Sequence, residues 1–211
     1  MPMSVPLGNR FERRRTETRQ ALVRAAREIL AESGDTSASI RAIAERADVG
    51  FGSFYNHFGS KPELFDAAVH DAMEEFGQTI DQRLYGVDDP AERLAGGLRL
   101  SALLAESHPE IMRILCHSDL GRICAGSGLA PRVRRDLEQG IAAGRFTVLD
   151  PGIALSALNG SLLALLELWF SKPETDIEQA AATMAEMLLN MLGLCPAEAR
   201  EVARGLLPAA A

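Results

Sequence analysis

Cysteine is scarce. Three occur in 211 residues, at Cys116, Cys124 and Cys195, and no two form a Cys-x-x-Cys pair. So small and odd a set does not staple a secreted miniprotein, and a reduced chain is expected. No basic segment followed by an apolar run and a small-residue cleavage site opens the sequence, so the expected compartment is the cytoplasm. The longest apolar stretch, Ile153 to Leu166, carries Ser156, Asn159 and Ser161 and ends at Glu167. It falls short of the ~18–20 clean residues of a bilayer crossing, and no membrane partner is expected. Also missing are a GxSxG elbow, a P-loop, a GxGxxG turn and an HExxH helix, so no enzyme is expected. Aromatic residues are only 5%, yet the apolar share of 47% is ample for a packed core and excludes a disordered or collagen-like chain.

Charge is unevenly spread. The formal net charge of −7 argues at first against a nucleic-acid partner. Residues 1–61, however, hold 10 Lys+Arg against 7 Asp+Glu, and the remaining 150 hold 12 against 22. Phosphate binding depends on where cations stand, so a modestly basic head on an acidic body is compatible with DNA contact. Ordinary variation of surface charge is the alternative.

The chain divides into an arm over 1–12, a head over 13–60 and a body over 61–211. Residues 1–10 contain two prolines and a glycine with little apolar periodicity. From Thr16 to Ser33 the residues Leu22, Ala25, Ala26, Ile29 and Leu30 form one stripe at helical spacing. Ser39 is a good cap for a short helix over Ile40–Ala47, and Asp48-Val49-Gly50 is a turn before a third short helix, Phe51–Phe58. Ser60 then caps a long fourth helix with Pro62 in its first turn. Beyond it, Pro90–Ser107, Pro109–Cys116, Pro131–Gly144, Pro151–Phe170, Ile177–Leu192 and Pro196–Leu206 each read as helices between proline, glycine or aspartate breaks. Only Arg145–Leu149 has strand character, and one strand has no partner. The expected fold class is all-α.

Two short helices joined by a tight turn and braced by a longer one make a helix-turn-helix, whose last helix is slim enough for the major groove. The run SIRAIAERADVGFGSFYNHFGSKPEL, residues 39–64, resembles the DNA-binding signature of the TetR (tetracycline-repressor-like) family of bacterial transcriptional regulators. The matching features are Ile43-Ala44, Val49, the Phe54-Tyr55-x-His57-Phe58 cluster and Ser60-Lys61. The resemblance implies that Arg41 reaches a base edge or a phosphate and that Phe51, Gly52, Ser53 and Asn56 face the groove. It also implies that Tyr55, His57 and Lys61 grip phosphates, with Phe54 and Phe58 facing inward. The sequence departs from the pattern at Gly50, where a serine cap is common, and at Asp48, where glycine is common. Phe51 has two placements: packed on a thymine methyl, or folded back onto the protein. The run Arg13-Arg14-Arg15 likewise either lies along phosphates or is a solvated helix lead-in.

A single helix-turn-helix commonly works as half of a two-fold pair, so a homodimer on a palindromic double-stranded operator is expected. The late helices supply candidates for its interface: Leu162, Leu166, Met184, Met187, Leu188 and Met191, which would make a four-helix bundle across the two-fold axis. The rest of the body is expected, from the resemblance, to enclose a largely apolar small-molecule effector, with Met112, Leu115, Cys116, His117 and Trp169 as candidate contacts. His108, Cys116, His117 and Cys124 fit no standard zinc spacing, and neither metal nor cofactor is expected. The function so implied is a ligand-responsive repressor. Its rivals are a helical enzyme with a DNA-binding head, and a DNA-binding protein with no effector.

Overall fold

A computed structural model describes residues 7–33, 36–107, 129–172 and 174–208. Among the described residues every regular element is a helix, as the periodicity predicts. They are α1 (Leu7–Ser33), α2 (Ile40–Arg46), α3 (Phe51–Tyr55), α4 (Lys61–Arg83), α5 (Pro90–Ser107), α6 (Leu129–Ala142), α7 (Pro151–Ser171), α8 (Ile177–Met191) and α9 (Pro196–Arg204). Contacts group the chain into two compact units, Met1–Ala72 and Met73–Ala211, so the division falls inside α4 rather than at its start.

In the first unit α1 begins well before Thr16, and residues 7–12 of the expected arm are its opening turns. The run Arg10 to Gln20 is made mostly of good helix formers, and Arg13 pairs with Glu17 at 3.4 Å one turn on. Its stripe from Leu22 to Leu30 is buried together with Ile43, Ala44, Phe54, Phe58, Leu64 and Phe65. Ser39 caps α2 by accepting a hydrogen bond from the Ala42 amide at 3.1 Å. Asp48 takes the turn with φ +53, the left-handed region that a short polar side chain tolerates. Helix α3 stops at Tyr55, earlier than the expected Phe58, and Asn56 closes it. Ser60 Oγ then accepts from the Glu63 amide at 3.3 Å while Glu63 accepts from the Gly59 amide at 2.7 Å, and α4 starts there.

In the second unit α5 packs against α6, α7, α8 and α9. The main core gathers Leu94, Leu137, Phe146, Leu155, Leu189 and Leu192, and a smaller cluster joins Ala102, Leu165, Ile177 and Ala181. Asp150 caps α7 and Asp176 caps α8 through their carboxylates. The segment Arg145–Leu149 is not a strand. Its Thr147 amide donates to the Leu192 carbonyl at 2.8 Å, and Phe146 presses its ring over Gly140, where any Cβ would collide with it.

Candidate nucleic-acid interface and ligand cavity

The short helix α3 is held by its aromatic residues. Phe54 is fully buried and Phe58 nearly so, with ring centroids 6.1 Å apart. Burying two phenyl rings stabilises the head by roughly 2–3 kcal/mol each and fixes which side of α3 looks outward. That side carries Phe51, Gly52, Tyr55 and Asn56, all exposed, and Ser53, half-buried. Phe51 remains 54% exposed and meets the Tyr55 ring edge-on at 6.1 Å, so it lies on the surface of α3 and not in the core. Beside it, Arg41, Ala44, Glu45 and Val49 from α2 and the turn line a shallow hollow. Arg41 is exposed and paired with Glu45 at 3.0 Å, a surface ion pair that yields readily to a better partner.

The cations near α3 form a second group. Arg19 places its guanidinium 4.9 Å from the Phe58 ring centre, a cation–π stack. His57 is held below the ordinary histidine range, first by burial and then by the charges of Arg15 and Arg19. Its imidazole is therefore mostly neutral near pH 7, among cations that keep positive potential on this face. Lys61 donates to the Ser37 carbonyl at 3.2 Å, which anchors its ammonium at the start of α4. The eight residues expected to meet DNA thus fall on α2, α3 and the turn into α4.

The expected dimer residues do not share one surface. Leu166 is fully buried and Leu188 is 8% exposed, both inside the core of their own protomer. Leu162 and Leu188 line an internal cavity, and Met184 packs half-buried on the core. Only Met187 and Met191 look outward, at 62% and 43% exposed. The 3-4 stripe of α8 is its inner face, because α5 and α7 cover it. Outward on α7 stand Ile153, Leu168 and Phe170. By length and mean hydropathy (1.6), Pro151–Ser171 would suffice to cross a membrane, more than the shorter run Ile153 to Leu166 suggested, and only 22% of its apolar stretch is buried within the chain.

The internal cavity is the feature the sequence did not disclose. It measures about 60 Å³ and lies among α4, α5, α6, α7 and α8. Leu84, Leu94, Leu98, Val133 and Leu158 make apolar walls, while Asp81, Arg93, Arg132, Arg135 and Asp136 form a polar end. Ser101 and Asn159 add neutral polar groups. Of the expected effector contacts, Met112, Leu115, Cys116 and His117 lie outside the described residues, as do His108 and Cys124. Trp169 packs against the smaller core cluster and is not part of this lining. A signal did exist in the sequence: Arg132, Arg135 and Asp136 recur at helical spacing on one face of α6.

Comparison with known proteins agrees with this architecture. Residues 22–68 match the family described as bacterial regulatory proteins, tetR family, and residues 89–205 match the tetracyclin repressor-like C-terminal domain. The chain is 34% identical to RolR, whose structure was solved in complex with resorcinol, covering 94% of this chain and 98% of that one with a TM-score of 0.67. It is 32% identical over 101 residues to the transcriptional regulator YvdT of Bacillus subtilis, 48% of this chain and 52% of that protein. To the repressor KstR of Mycolicibacterium smegmatis it is 32% identical over 88 residues, 42% of each. The chain thus spans about half the length of the curated relatives it matches. With both parts of the architecture matched in order along one sequence, the chain belongs to the TetR family of helix-turn-helix transcriptional regulators.

Proposed function

We propose that this regulator is a repressor, not an enzyme, that binds a palindromic operator as a homodimer in the cytoplasm and is released by a small hydroxylated aromatic. The observation that carries the DNA reading is α3 itself: Phe54 and Phe58 are locked inside while Phe51, Gly52, Tyr55 and Asn56 are presented outward. In this reading Phe51, Ser53, Asn56 and Arg41 meet base edges, and Tyr55, His57 and Lys61 meet phosphates. The apolar outer face of α7 and α8, around Met187, Met191, Ile153 and Leu168, is covered by a second copy of the chain.

The effector reading rests on the cavity and on the likeness to RolR. Apolar walls closed by a polar end suit a ring bearing hydroxyls. A benzene-sized guest fills roughly 150 Å³, so a ligand entering a cavity of about 60 Å³ must move its walls. Ile80 and Leu84 of α4 belong to those walls, and α4 begins at Lys61. A ligand that favours the widened state therefore disfavours the DNA-bound one, and coupling of ~1–3 kcal/mol changes operator affinity about 5- to 150-fold.

Selection of bound sites from a random DNA pool tests this reading. An inverted repeat is expected, and enrichment of a lone half-site, or of nothing, overturns it. Arg41→Ala and Phe51→Ala should each relax preference at particular positions by about 1–3 kcal/mol. Lys61→Ala should weaken all sequences alike and lower the salt slope by about one. Resorcinol added to the selected complex should release it.

A further inference from the structure

The polar end of the cavity is an ion network with a definite stoichiometry. Arg132 spans Glu74, at 2.8 and 3.1 Å, and Asp81, at 2.6 Å. Asp81 also faces Arg135 at 3.4 Å and Arg93 at 3.8 Å. Asp136 accepts from Arg93 at 3.1 Å and from Arg135 at 2.9 Å. Three guanidiniums thus meet three carboxylates, and the set carries no net charge. It is also poorly hydrated: the side chains of Asp136, Arg132 and Arg93 are 7%, 15% and 17% exposed. Gly77 is part of the construction. A Cβ there would stand 2.5 Å from the Arg132 guanidinium, so the bare backbone is what lets Arg132 lie across α4 and reach both acids.

Such a set treats neutral and charged guests differently. A hydroxyl accepts from one guanidinium N–H and donates to a neighbouring carboxylate oxygen, leaving the balance untouched. A guest carboxylate adds a fourth anion to three cations. To gain a guanidinium it must displace an internal carboxylate, which is then left unpaired in a shielded place. We infer that this cavity selects by charge: it accepts the uncharged hydroxylated ring and rejects the same ring bearing a carboxylate. The inference rests on the effector reading above and adds the exclusion of hydroxybenzoates.

Titration calorimetry on the full-length protein at pH 7 tests it, with resorcinol, 3,5-dihydroxybenzoate and 3,5-dihydroxybenzamide. The amide matches the acid in size and is neutral. Resorcinol and the amide should bind, with the acid about 100-fold weaker than the amide. Glu74→Gln removes one negative charge from the network without altering a cavity-lining residue. It should strengthen the acid about tenfold and leave resorcinol within about threefold. Equal binding of acid and amide, or equal failure of the two while resorcinol binds, overturns charge selection and leaves the effector reading standing. Failure of all three ligands, resorcinol included, overturns both. An unchanged acid affinity in Glu74→Gln, with resorcinol binding retained, also counts against charge balance as the cause.

Discussion

Arginine serves opposite purposes in the two units. In the second, Arg93, Arg132, Arg135 and Arg145 are turned into internal ion pairs, and Arg99 donates to the Gly205 carbonyl at 2.7 Å while only 7% exposed. Arg145 is typical, bonding Asp89 at 2.9 Å and Glu198 at 2.6 Å, so that the loop before α5 is joined to α9. In the first unit Arg13, Arg14, Arg15 and Arg19 stand exposed along α1, and Arg19 stacks on a phenyl ring instead of a carboxylate. The difference explains how an acidic chain keeps a cationic face. The body's positive charge is matched at close range by its own acids, whereas much of the head's remains available to an external polyanion.

The strongest way to separate the two units is to remove the wedge that holds α3. Phe54→Ala should cost about 3–5 kcal/mol, because the ring is fully buried and its cavity cannot collapse between α1 and α4 without moving them. Urea unfolding followed with operator binding checks it. The expected result is an early transition with DNA binding lost, while sedimentation still reports a dimer through the body. Loss of the dimer at the same urea concentration would mean that the units unfold as one.

A smaller effect addresses the body's outer face. Met187 is 62% exposed in the single chain, and its burial by a second copy is worth about 1.5–3 kcal/mol. Met187→Asp should raise the dimer dissociation constant by that amount in sedimentation equilibrium, with the protomer's thermal stability unchanged. An unchanged dimer places the interface elsewhere. Leu188 is unsuited to this test despite being the next residue. It is part of the protomer's own core, and a charge there would unfold the chain before it separated two copies.

That pair shows what was legible in the sequence. Spacing at three and four residues says that a face of α8 is covered, but not whether the cover is the same chain or a copy. Helix identity was legible because proline, glycine and aspartate punctuate nearly every element, and the three-turn extension of α1 escaped notice only because Gly8 and Asn9 weaken its start. The candidate DNA face was readable because its residues crowd into one short run after Ser39. The cavity was not, since its polar end draws Asp81 from α4, Arg93 from α5 and Asp136 from α6, separated by tens of residues. Composition cannot show that these charges cancel one another. Packing does.

The smallest expected effect tests the head's cationic face by its protons. Burial and the nearby charges of Arg15 and Arg19 lower the His57 pKa, so the free protein holds this imidazole largely unprotonated near neutrality. A DNA phosphate seated against it would offset those cations and raise the pKa in the complex. Binding then takes up a proton, and linkage fixes the sign: affinity rises as pH falls through the bound-state pKa and levels off below that of the free protein. Each unit of difference between the two is worth about 1.4 kcal/mol, and a partly exposed contact should give less than one. His57→Gln keeps a hydrogen-bond donor and cannot titrate. Measured by fluorescence anisotropy between pH 6 and 8 at constant ionic strength, the variant should lose the slope and retain most of the affinity at pH 8. A slope that survives in His57→Gln would assign the proton to another group and remove His57 from the phosphate contacts.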